Sequence, residues 1–173
     1  MELYFMVGAL VVSVAAAILD LTSRRIPNVL TYTSMLAAIG ARGILQGWSG
    51  LLGALAGGLI GGGIFLLFFL LRTMGGGDMK LMTAVGCLAG AQKSFEVVLA
   101  AAIAGGVMAI AFALWQRRLR TVLVNVADLV RFHFRFGMES HPTLNLVNSQ
   151  ARRLPYGVAI AAGVLYTTLA MVY

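Results

Sequence analysis

Six stretches of this chain, 3–19, 29–45, 51–71, 79–91, 97–115 and 156–173, approach the roughly 20 apolar residues that cross a bilayer's hydrocarbon core. Together they take up most of the 173 residues, and a backbone in lipid has to satisfy its own hydrogen bonds, which a helix does within each stretch. The expected fold is therefore all-α: one domain, 1–173, forming a polytopic membrane helix bundle with about six transmembrane helices. Composition points the same way, since 60% hydrophobic and 11% charged residues leave too little polar surface to clothe a soluble globule. The first stretch has no basic region before it and no convincing small-x-small cleavage site, so it is expected to stay attached rather than to be removed as a signal. The fourth stretch is short. Its helix must start earlier, near Gly75, or begin below the membrane surface, where irregular backbone is tolerated only against protein or a water-filled cavity.

Lys and Arg are spread unevenly around these stretches, and short loops rich in them stay in the cytoplasm. Arg24 and Arg25 follow the first stretch, Arg72 and Lys80 flank the turn before the fourth, and Arg117, Arg118, Arg120, Arg131, Arg135, Arg152 and Arg153 lie between the fifth and sixth. Only Arg42 and Lys93 fall on the other side. Both termini are thus expected outside, with Asp20 and Asp78 at the cytoplasmic face. The net charge of +7 is mostly this orientation signal, and the rest suits anionic membrane lipid; nucleic acid is not an expected partner.

The basic connection at about 116–154 is expected to be cytoplasmic or interfacial. Within it, 121–136 mixes apolar and aromatic residues with basic ones, as an interfacial helix or ribbon would. Arg131, His133 and Arg135 read there as a solvated, lipid-facing surface rather than a docking site. His133 and His141 lack the carboxylate spacing of a metal site, and the single Cys87 excludes a disulfide framework and a Cys-based zinc site, so neither metal nor cofactor is expected.

Small residues recur four apart: Gly53, Gly57 and Gly61, with Ala54, Gly58 and Gly62 alongside, then Gly86 and Gly90, Ala102 and Gly106, Ala159 and Gly163. That spacing lets helix backbones approach closely. A homodimer face is the competing use of the same glycines; close packing inside one chain is preferred.

Two aspartates stand apart from this apolar background. An acid beside or within a membrane span costs several kcal/mol, roughly 2.5 or more for Asp at a helix centre, so such residues usually mark function. Asp20 opens a turn in which Pro27 keeps the preceding residue out of helical conformation and Asn28 can cap the next helix. Asp78 follows Gly75, Gly76 and Gly77, a run that delivers a carboxylate to a helix start. Lys80, two residues on, could hold that carboxylate ionised. Arg24, Arg25 and Arg72 are expected to anchor helices at the headgroups, and Asp128 and Glu139 to form solvated ion pairs. Glu96 lies on the opposite face and is expected to be dispensable.

These motifs resemble the type IV prepilin peptidases, which belong to the GxGD class of intramembrane aspartyl proteases. Gly75, Gly77 and Asp78 fit the GxGD signature, Lys80 and Leu81 fit the residues that often follow it, and Asp20 with Pro27 and Asn28 fits the first-aspartate motif. Pro155, Tyr156 and Gly157 look like the tripeptide that often opens the last helix of the family. The resemblance implies a peptidase of the bacterial cytoplasmic (inner) membrane. Its partners would be membrane lipid and a prepilin, whose short basic leader is removed before its hydrophobic N-terminal helix. The compact form resembles the tight-adherence (Flp) pilus enzymes, and the paired cysteines of larger bifunctional relatives are missing, so no methyltransfer is expected. Chemically, neighbouring carboxylates cannot both ionise cheaply; one keeps a proton while the other activates water. Helix dipoles favour Asp78 as the base and Asp20 as the acid. An ion- or proton-coupled transporter and a non-catalytic subunit of a secretion machine are the alternative readings.

Overall fold

The structure is a computed structural model that describes residues 1–71, 74–136 and 154–173; Arg72, Glu139, His141, Arg152 and Arg153 lie outside the described residues. Among the described residues five helices follow one another: α1 (Glu2–Ser23), α2 (Asn28–Leu70), α3 (Gly76–Trp115), α4 (Leu119–Phe136) and α5 (Tyr156–Leu169). Three of them, α1, α2 and α3, are long and apolar enough to cross a membrane. Their outer faces are apolar as well. Val7, Val11, Val14 and Ile18 are exposed along α1 at helical spacing, as are Leu99, Ile103, Val107 and Ile110 along α3, a pattern suited to lipid and not to water.

The six separate spans expected from hydropathy are not six separate elements. Stretches 29–45 and 51–71 are both part of α2, and 79–91 and 97–115 are both part of α3. Each long helix is broken at one glycine: Gly47 (φ 66°, ψ −150°) and Gly90 (φ 79°, ψ 171°), positive-φ conformations that cost a glycine little. The chain folds back at both. A Cβ placed on Gly43 would lie 3.8 Å from Cδ1 of Leu51, and one on Gly86 would lie 2.9 Å from Oγ of Ser94. Eight residues along an unbroken helix span about 12 Å. Single glycines therefore do the work of connecting loops, and residues 92–96, polar except for Phe95, are helical, with Lys93 and Glu96 paired at 2.7 Å. The last stretch is shorter than expected: α5 has 14 residues, about 21 Å of helix, followed by a turn.

α2 packs along α3, and α5 packs against both α3 and α1. The fully buried side chains include Met6, Leu81, Met82, Val85, Val97, Ile160 and Val164. Glycine allows the closest approach: Gly57 sits against the Gly86 carbonyl, and a Cβ there would come within 2.9 Å of Gly90 Cα. The Ser94 hydroxyl donates to the Gly57 carbonyl at 2.8 Å across the same contact. In the fifth stretch the register differs by one residue from that expected. Ala101 and Gly105 are buried, against Gly163 and Tyr156, whereas Ala102 is exposed and Gly106 has open space.

At the end of the bundle holding Glu2, the side chain of Arg42 is 4% exposed. It pairs with Glu2 at 2.8 Å, donates to the Leu88 carbonyl at 2.7 Å, and lies 4.4 Å from the Phe5 ring centroid. This arginine ties together the start of α1, the first arm of α2 and the first arm of α3 just before its break.

Candidate active site

Asp20 lies in the last turn of α1, whose end is closed by Arg24 in the left-handed conformation (φ 53°) donating its N–H to the Asp20 carbonyl at 3.0 Å. The residue is 9% exposed. Its Oδ2 accepts the backbone N–H of Gly157 at 3.0 Å. Gly157 is the second residue of α5, after Pro155 at the N-cap, so the carboxylate of Asp20 meets the positive end of another helix. A side chain at Gly157 would intrude: its Cβ would lie 3.2 Å from Oδ2 of Asp20 and 3.5 Å from Ala17 Cα.

Asp78 sits in the first turn of α3, whose N-cap is Gly75 in extended conformation (φ −75°, ψ 146°). Its half-buried carboxylate reaches back beside Gly75. A Cβ on Gly75 would stand 3.2 Å from Oδ2 of Asp78, so the glycine keeps the approach to this carboxylate open. Gly77 packs against Ile26, where a Cβ would lie 3.3 Å from the isoleucine's own Cβ. The turn after Asp20 and the turn before Asp78 therefore touch each other.

With Ile26 against Gly77 and the Gly157 amide on Asp20, the two aspartate turns and the start of α5 adjoin one another. Tyr156 fills the space beside them. Its ring makes an edge contact with Phe65 at 5.8 Å between centroids, and its hydroxyl donates to the Ala101 carbonyl at 3.4 Å. Four helix ends meet here: the end of α1, the starts of α3 and α5, and the Ile26 turn leading into α2. Asp20, although it ends α1, accepts a backbone N–H at the start of α5, so both carboxylates stand at a helix N-terminus and the helix-dipole asymmetry expected from the sequence is reduced.

The supporting residues behave differently from expectation in two places. Asn28 does not cap α2; the N-cap is Pro27 (φ −63°, ψ 137°) with no side-chain cap bond, because proline already fixes the entry. Lys80 does not turn to Asp78. Its ammonium donates to Oδ1 of Asn28 at 2.9 Å and lies 5.3 Å from the Tyr32 ring centroid, so it joins the starts of α2 and α3. Sequence reasoning missed Ile26 and the amide of Gly157. The Pro155-Tyr156-Gly157 tripeptide was the only signal for the latter.

A cleft of about 730 Å³ lies elsewhere, between the end of α3 and the start of α4, and neither aspartate lines it.

The fold and this site define a helical membrane protein that gathers two acids at one meeting point of helix ends. The family model of the type IV leader peptidase family matches residues 7–110, and the chain belongs to that family. It is a peptidase, and the family implies a prepilin as substrate. The matched residues include both aspartate turns and stop short of α5. No curated protein and no solved structure matches the chain.

Proposed function

We propose that this protein is an aspartic endopeptidase in which Asp20 and Asp78 together hydrolyse the leader bond of a prepilin of the Flp type. The observation that carries the reading is the packing of the two aspartate turns against each other at Ile26 and Gly77, with Asp20 bonded to Gly157 at the start of α5. Two neighbouring carboxylates hold one proton between them. The ionised partner takes a proton from water, whose oxygen attacks the scissile carbonyl; the protonated partner hydrogen-bonds the carbonyl oxygen as charge develops, and a proton then passes to the departing amine. The backbone amide of Gly157 fixes the carboxylate of Asp20 in place.

The same reading makes the breaks at Gly47 and Gly90 membrane turns, giving six helical passes from the four helices α1, α2, α3 and α5. It places the protein in the bacterial inner membrane with the aspartates toward the cytoplasm, supported by exposed Arg24 and Arg25 just after Asp20. Co-expression with a candidate Flp-type prepilin tests it. Asp20→Asn and Asp78→Asn should each leave the prepilin uncut while the enzyme remains folded in the membrane, and Glu96→Gln should cut at the parental rate. Parental cleavage by either Asp→Asn variant sinks the two-carboxylate mechanism.

A further inference from the structure

α3 carries exposed apolar residues to its very end, with Val107, Ile110 and Leu114 at 63, 54 and 55% and Trp115 at 78%. Tryptophan is favoured where hydrocarbon gives way to headgroups. Arg117, in the left-handed conformation (φ 55°), then donates its N–H to the Leu114 carbonyl at 2.9 Å, and Arg118 donates to the Ala113 carbonyl at 2.9 Å. This closes α3 and starts α4 two residues later. α4 therefore begins at the level where the lipid-facing surface of α3 ends.

α4 is an amphipathic helix with an exposed apolar side. Leu123, Val126 and Val130, spaced three and four apart on one face, are 58, 53 and 48% exposed. Arg120, Asp128, Arg131 and Arg135 are exposed toward the other side. Between 116 and 136 there are five arginines and one acid, so the charge is complementary to an anionic surface. Water is a poor neighbour for the first face, and a membrane of neutral lipid leaves the second without counter-charge.

We propose that α4 is an anionic-phospholipid-binding helix lying in the headgroup layer, with Leu123, Val126 and Val130 against acyl chains and Arg120, Arg131 and Arg135 against lipid phosphates. The proposal stands on the membrane setting of α3 and is independent of the peptidase mechanism. An interfacial helix of this kind gains from apolar burial and from lipid charge together.

Spin labels on the full-length protein test it. In a Cys87→Ala background, Val126→Cys and Asp128→Cys place single labels about 200° apart around the helix. In vesicles containing phosphatidylglycerol, the label at 126 should collide with oxygen and be shielded from a water-soluble nickel reagent, while the label at 128 should show the reverse. Replacing the lipid with phosphatidylcholine, or replacing Arg120, Arg131 and Arg135 together with Gln, should raise nickel access at 126 severalfold, with helix content unchanged by circular dichroism. Equal nickel access at 126 and 128 in anionic vesicles overturns the proposal, as it would if a protein partner covers this face in cells. Shielding at 126 that ignores both lipid charge and the arginines overturns it too.

Discussion

The backbone amide of Gly157 lies 3.0 Å from Oδ2 of Asp20, so a single buried hydrogen bond joins the last turn of α1 to the first turn of α5. A bond from N–H to a carboxylate is stronger than one between neutral groups and fixes the carboxylate's direction as well as its position.

Substituting Gly157 should therefore damage activity more than folding. In Gly157→Ala the new Cβ meets Asp20 at 3.2–3.3 Å, which the carboxylate can relieve only by moving. Cleavage of a co-expressed prepilin should fall by about tenfold, equivalent to about 1.4 kcal/mol in the barrier, with little change in the thermal midpoint. Gly157→Val should abolish it. A Gly157→Ala enzyme with parental turnover would show that cleavage does not depend on the Asp20 carboxylate keeping this position.

Lys80 and Asn28 form one unit at 2.9 Å on the exposed side of the site. An exposed hydrogen bond of this kind contributes about 1 kcal/mol or less. Lys80→Met and Asn28→Ala should each reduce activity by less than about fivefold, and the double variant should be no worse than the weaker single one. Additive losses measured in a double-mutant cycle would mean that the two residues act separately.

Much of this arrangement is legible in the sequence. Hydropathy gives a helical membrane protein, and the glycine run before Asp78 marks a helix start within one residue of where α3 begins. The reversals at Gly47 and Gly90 are not legible, because both residues sit among many other glycines and only packing selects which of them adopts positive φ. The expected pair Ala102 and Gly106 fails for a related reason: a spacing of four defines a stripe but leaves its direction open, and Tyr156 and Gly163 settle it in favour of Ala101 and Gly105. The roles of Lys80 and Gly157 depend on partners 52 and 137 residues away, which no local pattern reports.

The α2–α3 contact makes a sharp stability prediction. Gly57→Ala brings a Cβ within 2.9 Å of Gly90 Cα and closer still to the Gly86 carbonyl, contacts against backbone that cannot swing aside. It should cost about 3 kcal/mol or more and lower the thermal midpoint in detergent. Gly53→Ala, with nothing within 4 Å, should be neutral or slightly stabilising. Equal midpoints for the two variants would refute the packing.

Arg42 should matter for stability and not for chemistry. Arg42→Met removes the donor to the Leu88 carbonyl and the ion pair of Glu2, which keeps only the Gln46 amide, a loss of about 3 kcal/mol. Glu2→Gln should cost less, since Glu2 is half exposed and its replacement can still accept a hydrogen bond. Eighteen residues of α1, about 27 Å, separate this cluster from Asp20. Prepilin cleavage measured well below the melting temperature should therefore be close to parental in both.

The second arm of α3 passes Tyr156 at Gly105 and continues ten residues further to Trp115, with apolar side chains facing outward along the way. Those ten residues span about 15 Å, so Tyr156, next to the Gly157 that binds Asp20, meets the arm beneath the rim that the arm defines. A polypeptide entering from that rim needs about four or five residues of extended chain to reach that level, at about 3.3 Å per residue. A coiled segment of the same length covers less than half the distance and keeps its carbonyls occupied. In the proposed reaction this depth would act as a ruler, favouring uncoiled tails of sufficient reach over the helical body that follows them.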